Sequence, residues 1–118
     1  SIAEGSLVSL ECYLPHGWFM RHFNFMILAQ SDDHSQSYRL ATSWIIDGGL
    51  ESEIQEDGAN TVSIRSLEYP EYYLRVMNGF TVVLQKFNSS DVNYTREATF
   101  IIRKGLVDPN LYSFEVLS

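Results

Sequence analysis

The sequence predicts an all-β fold, and three observations predict it. Short runs of β-branched and aromatic residues alternate with turn formers, no window carries a sustained apolar stripe of helical period with caps, and the chain repeats itself. Val8-Ser9-Leu10 recurs as Val62-Ser63-Ile64, and Tyr112-Ser113-Phe114 opens a third copy. Phe19-Met20-Arg21 answers to Tyr73-Leu74-Arg75, and Asn24 to Asn78, at a common offset of 54 residues. Tyr38 pairs with Tyr94, and Ser43-Trp44-Ile45-Ile46 with Thr99-Phe100-Ile101-Ile102, at an offset of 56, so the second copy holds two extra residues in its middle. A slip of that kind belongs in a surface loop, where added length costs little.

In the first copy the strands are expected at residues 7–10, 18–20, 23–28 and 44–46, with Pro15-His16-Gly17, the polar stretch 30–36 and Asp47-Gly48-Gly49 between and after them. The second copy places strands at 62–64, 72–74, 80–84 and 98–102, separated by Tyr69-Pro70-Glu71, Asn78-Gly79 and a loop over 88–93. Asn78-Gly79 is a two-residue hairpin signal, because both residues tolerate positive φ. Helix content should be low, with one turn near 50–55.

Four-stranded units in threefold repetition make a β-trefoil, in which hairpins close a short barrel and leave no long exposed edge. At a period near 50 residues three units need roughly 150. The 118 residues therefore read as one β-trefoil-like domain of two complete four-stranded lobes plus the first strand of a third: lobe one at about 5–50, lobe two at about 60–107, the start of lobe three at about 108–118. This is the pattern of a fragment of a longer protein, or of a domain that borrows its missing lobe. An incomplete barrel leaves unpaired edges and apolar side chains at its seam, which favours self-association.

Hydrophobic residues at 45% supply a core, and aromatics at 14% suit a small barrel. Eight Lys and Arg against 15 Asp and Glu give a net charge of −7, which argues against nucleic acid or an anionic membrane as the main partner, since phosphates need clustered cations. No apolar run is long enough to cross a bilayer. The single Cys12 cannot form an internal disulfide, and its place beside the first strand predicts burial. Asn88-Ser89-Ser90 and Asn93-Tyr94-Thr95 are acceptor patterns for N-glycosylation at Asn88 and Asn93, and they favour a secreted or lumenal setting.

Ser66-Leu67-Glu68-Tyr69-Pro70-Glu71-Tyr72-Tyr73-Leu74-Arg75, then Arg96-Glu97-Ala98-Thr99-Phe100 and Gly105-Leu106-Val107-Asp108-Pro109, resemble the arabinose-binding domain of the arabinofuranosidase B family. Leu14-Pro15, Phe19-Met20-Arg21-His22 and Thr42-Ser43-Trp44 match more loosely. The resemblance covers nearly the whole chain. It implies a β-trefoil in which each lobe can hold an arabinofuranosyl side chain between the His after the Arg and the Asp of an Asp-Ala-Thr-Phe strand. A neutral sugar offers only hydroxyls, so a carboxylate and an imidazole over an aromatic floor are apt partners. Here both pockets are degenerate: the first keeps His22 but has Ala41 at the carboxylate position, and the second keeps Glu97 but has Val76 at the histidine position. His22, Glu97, Tyr72 and Tyr73 are the sugar-binding candidates the resemblance leaves. Arg21 and Arg75 are expected to satisfy carbonyls or carboxylates between lobes.

Other clusters read as scaffold. Asp32-Asp33-His34 with Ser35 and Ser37 is a solvated loop in preference to a cation site, and Glu51, Glu53, Glu56 and Asp57 form a hydrated linker. Cys12, His16, His22 and His34 give no triad spacing, and there is no phosphate-cradling glycine loop. The expected function is therefore a non-catalytic binding module attached to a larger protein, without cofactor or metal, whose ligand is a glycan or else a protein. Trp18, Phe23, Phe25, Tyr72 and Tyr73 are candidates for outward-facing anchors.

Overall fold

Turn chemistry sets the strand boundaries. The computed structural model describes residues 4–53, 55, 58–104 and 112–117. Among them nine strands form: β1 (Ser6–Val8), β2 (Trp18–Phe23), β3 (Met26–Ser31), β4 (Trp44–Gly48), β5 (Thr61–Ser66), β6 (Tyr72–Met77), β7 (Thr81–Lys86), β8 (Phe100–Lys104) and β9 (Tyr112–Val116). Two short helices, α1 (Gln36–Ala41) and α2 (Tyr94–Glu97), interrupt them. The described residues are thus all-β, 47% strand and 10% helix, with the strands in one curled sheet.

Every pairing is antiparallel, and β5 is the branch point. It pairs along its length with β4, meets β8 through Thr61 and Val62, and meets β6 through Arg65 and Tyr73. β1 lies beside β4 and β9 beside β8, while β2–β3 and β6–β7 are hairpins whose ladders meet at one pair, Met26 opposite Val83. Alternating residues from these strands meet in a core of Trp44, Ile46, Val62, Ile64, Leu74, Val76, Leu84 and Phe100. Trp44 is fully buried, and its Nε1–H donates to the Met20 carbonyl at 3.1 Å, which fixes the β2–β3 hairpin over the core.

Asn78 and Gly79 both adopt positive φ, 56° and 80°, as the sequence predicts for the β6–β7 turn. The loop is one residue longer than the two-residue form: Phe80 donates to the Met77 carbonyl at 3.3 Å, and Met77 then stands opposite Thr81. A Cβ at Gly79 would meet nothing within 4 Å, so Gly79→Ala tests conformation alone. It is expected to lower stability by about 1 kcal/mol, read as a shift in the urea midpoint at constant slope.

The helices depart from expectation. The described residues within 50–55 are not helical, because the Leu50 and Glu51 amides donate to the side chains of Ser63 and Thr99 at 3.0 and 3.1 Å. Helix forms instead at α1 and α2. α1 starts where Ser35 Oγ accepts the Tyr38 amide at 3.0 Å. Neither helix is long enough to generate the periodic stripe that marks a helix in sequence. Each delivers one buried tyrosine: the Tyr38 hydroxyl donates to the Gln30 carbonyl at 2.8 Å, and the Tyr94 hydroxyl to the Gln85 carbonyl at 2.5 Å.

An open apolar cleft of about 740 Å³ lies between the β1, β6 and β9 regions, lined among others by Leu10, Met20, Val76, Phe80 and Phe114. Cys12 is half-buried at its wall, less enclosed than the sequence predicts. Residues 105–111, which include the Gly-Leu-Val-Asp-Pro connector, lie outside the described residues, as do Glu56 and Asp57 of the acidic run.

Candidate functional site

β2 carries Arg21 and His22 in succession, so strand alternation sends them to opposite faces. His22 points inward and is buried against Trp44, with ring centroids 6.1 Å apart, and Tyr69, at 5.4 Å. Its Nε2 lies 3.0 Å from Glu68 Oε1, but off the line of a hydrogen bond, so this buried nitrogen has no hydrogen-bond partner among the described residues. Glu68 precedes the Tyr69-Pro70 turn and brings a carboxylate to His22 from another part of the chain. Outside this pair, Tyr69 touches Phe25 and Tyr72.

Burial holds the His22 pKa below its ordinary 6.5, with Glu68 opposing that shift and Arg21 adding to it. The unfolded chain therefore binds the proton more readily than the folded one. The stability this group contributes is full above pH 6.5, falls as pH drops below that value, and levels off below the folded-state pKa. The thermal midpoint of the native chain should decline between about pH 7.5 and pH 5.5 more steeply than that of His22→Asn. Parallel curves would show that His22 is not the titrating group.

On the other side of the hairpins, β6 sends Arg75 toward α2. Arg75 is 4% exposed and donates to Glu97 Oε1 from Nε and Nη2 at 3.0 and 2.5 Å, and from Nη1 to Gln85 Oε1 at 2.6 Å and Asp91 Oδ2 at 2.9 Å. The guanidinium also lies 5.1 Å over the Tyr94 ring. Burial opposes the charge, but the bonds to Glu97 and Asp91 outweigh it and raise the Arg75 pKa. Asp91 is pulled below the usual carboxylate range by the Asn93 amide first and by Arg75 second. Burial pushes the Tyr94 hydroxyl up to about 12. Tyr73 sits on this side, its ring 6.4 Å from Phe87, and burial with the nearby Asp47 raises its pKa.

The four sugar-binding candidates thus divide. His22 and Tyr72 meet through Tyr69 on one face, whereas Tyr73 and Glu97 lie with Arg75 on the other. Both arginines bond locally, not between lobes: Arg21 reaches Gln30 Oε1 at 2.9 Å and the His22 carbonyl at 3.1 Å. Glu68, Tyr69, Gln85 and Asp91 are contributors that sequence reading missed. Only the Tyr69-Pro70 pair carried a signal, as a turn.

The remaining clusters close on themselves. Asp32 accepts from the His34 amide at 2.7 Å, and Asp33 from the Ser35 amide at 2.9 Å and hydroxyl at 2.6 Å. Among the described residues no group of His, Cys, Asp and Glu could hold a metal ion. Glu51 and Glu53 face Arg96, at 3.7 and 3.1 Å. Asn88 and Asn93 are exposed in the loop before α2, where Asn88 Oδ1 accepts the Ser90 amide at 3.0 Å. No described helix is long and apolar enough to cross a membrane.

A curled all-β domain with an aromatic, carboxylate- and imidazole-bearing hairpin face is the class this geometry defines. Residues 1–88 match the family described as the alpha-L-arabinofuranosidase B (ABFB) domain, and the chain belongs to that family. Similar solved structures include an arabinofuranosidase complexed with arabinofuranosyl-alpha-1,2-xylobiose, at TM-score 0.80 and 24% identity over 99% of this chain and 23% of that one. A GH54 arabinofuranosidase soaked with a cyclic sulfate inhibitor aligns at TM-score 0.81 and 21% identity, again over 99% of this chain and 23% of that one. The chain thus spans about a quarter of the length of these enzymes. No curated protein matches it.

Proposed function

We propose that the chain is a non-catalytic carbohydrate-binding module of β-trefoil type, attached to a larger protein, that holds a glycan at the face of His22 and Tyr72. The carrying observation is the buried His22 Nε2, 3.0 Å from Glu68 Oε1 and without a hydrogen-bond partner among the described residues, under rings that reach solvent. A buried polar atom left unpaired is costly, and a ligand hydroxyl supplies the partner. Glu68 supplies the carboxylate of this face.

Several features support the trefoil. The pairings β1·β4, β4·β5, β5·β8 and β8·β9 run as successive barrel staves, with β2–β3 and β6–β7 branching off as hairpins. Tyr38 with Gln30 and Tyr94 with Gln85 make the same contact in each lobe. The apolar cleft lies where a third lobe would close the barrel. The match to 23% of longer enzymes supports attachment to a larger chain. Exposed Asn88 and Asn93 fit glycosylation in a secreted or lumenal protein.

The second pocket, of Glu97 and Tyr73, is the weaker site, because Glu97 already accepts two bonds from Arg75. A glycan array that includes furanose-bearing chains tests the reading. Binding by the native chain, lowered at least about tenfold in His22→Ala, is expected, since one lost polar anchor of about 1.4 kcal/mol is a factor of ten. Silence across the array from a folded sample would refute the proposal and favour a protein ligand.

A further inference from the structure

We propose that Phe25, Tyr69 and Tyr72 form a stacking site for a pyranosyl unit of a neutral polysaccharide backbone, beside the His22–Glu68 pair. This rests on the glycan-binding reading above and adds to it a second sugar class and two further aromatic residues, Phe25 and Tyr69. Phe25 occupies the second turn position between β2 and β3 with φ at 60°, a left-handed conformation that bulky residues rarely adopt. At the corresponding position of the β6–β7 turn stands Gly79, with φ at 80°. The only backbone bond that Phe25 supplies to β7 is its carbonyl, which accepts the Leu84 amide at 2.9 Å, and glycine or asparagine would supply that equally. Core packing does not account for the ring either, because Phe25 is 46% exposed.

What the strained turn achieves is the position of the ring. Phe25 stacks on Tyr72 at 5.1 Å and 25°, and meets Tyr69 at 5.9 Å and 44°. Tyr69, itself 42% exposed, lies 5.9 Å from Tyr72 and closes a three-ring cluster. With Glu68 and His22, the phenol hydroxyls of Tyr69 and Tyr72 set polar groups around apolar ring faces.

That layout fits a pyranose. A β-1,4-linked pyranosyl unit carries its hydroxyls at the equator and presents axial C–H faces, broad enough to lie on an aromatic ring whose π face is electron-rich. A furanose is smaller and puckered and has no equally broad flat face. Glu68 and the net charge of −7 disfavour an acidic sugar, so a neutral backbone is the occupant.

Calorimetric titration of the whole chain with xylohexaose, and separately with α-1,5-arabinotriose, provides the test, using Phe25→Asn and Phe25→Gly as variants that tolerate the left-handed turn. The native chain should bind xylohexaose. Both variants should raise its Kd at least tenfold, with a thermal midpoint unchanged or higher because the turn is relaxed. Xylohexaose affinity within twofold of native in both variants overturns the proposal. Native binding of arabinotriose without xylohexaose overturns it while leaving the glycan reading in place, and binding of neither by a folded chain removes both.

Discussion

Glu97→Ala is expected to lower folding stability by about 3 kcal/mol, at the lower end of the loss seen when one partner of a buried ion pair is removed. The reason lies on the arginine. Arg75 is 4% exposed and cannot rehydrate, and without Glu97 its Nε and Nη2 hydrogens lose both of their bonds, leaving Asp91 and Gln85 on Nη1 alone. For a domain of this size the thermal midpoint should fall by about 10 °C. Arg75→Met is expected to be milder than Glu97→Ala, because Glu97 and Asp91, at 29% and 32% side-chain exposure, can turn to water when the cation is gone. The double variant should therefore recover much of what Glu97→Ala loses, a coupling that a cycle measures directly. A stability change within about 0.5 kcal/mol for Glu97→Ala, as for an ordinary surface residue, would show that the clamp carries no structural weight.

Trp44→Ala should destabilise by about 4 kcal/mol, within the range for a large aromatic removed from a core. Trp44 is fully buried, and it does two separable things. Its ring fills the space between Ile46, Ile64 and the hairpin, and its Nε1–H satisfies the Met20 carbonyl at 3.1 Å. Trp44→Phe keeps much of the volume and removes the donor, so it isolates the hydrogen bond, worth about 1–2 kcal/mol when a buried carbonyl is left unpaired. Urea unfolding separates the cases. A shift in midpoint without a change of slope for both variants is expected, whereas a change of slope for Trp44→Ala would mean that the sheet itself has loosened.

The strands were legible because the signals that mark them are local. Alternation placed β2, β4, β5, β6 and β7 within a few residues of their observed ends, and Asn78-Gly79 marked the one turn whose φ values its residues demand. The helices were not legible, since six and four residues are too few to show a period, and α1 depends on the Ser35 cap and α2 on the burial of Tyr94. Site residues that act within one motif, such as Arg75 and Glu97, could be singled out, but their joining in one clamp with Asp91 could not. Glu68 lies 46 residues from His22 in the sequence, and nothing local announces that its carboxylate will stand 3.0 Å from the imidazole. Phe25 stands out in the sequence as a candidate outward-facing aromatic, but only its backbone angle shows that the chain holds a ring where its other hairpin uses glycine.

The most direct measurement is a residue-resolved NMR titration of the chain with α-1,5-arabinotriose at a pH where His22 is neutral. Saturable shifts centred on His22, Glu68, Tyr69 and Tyr72, with Arg75, Tyr73 and Glu97 unmoved, are the expected result. Shifts centred instead on the Arg75 side, or no shifts from a well-dispersed folded spectrum, would contradict a furanose site built on His22.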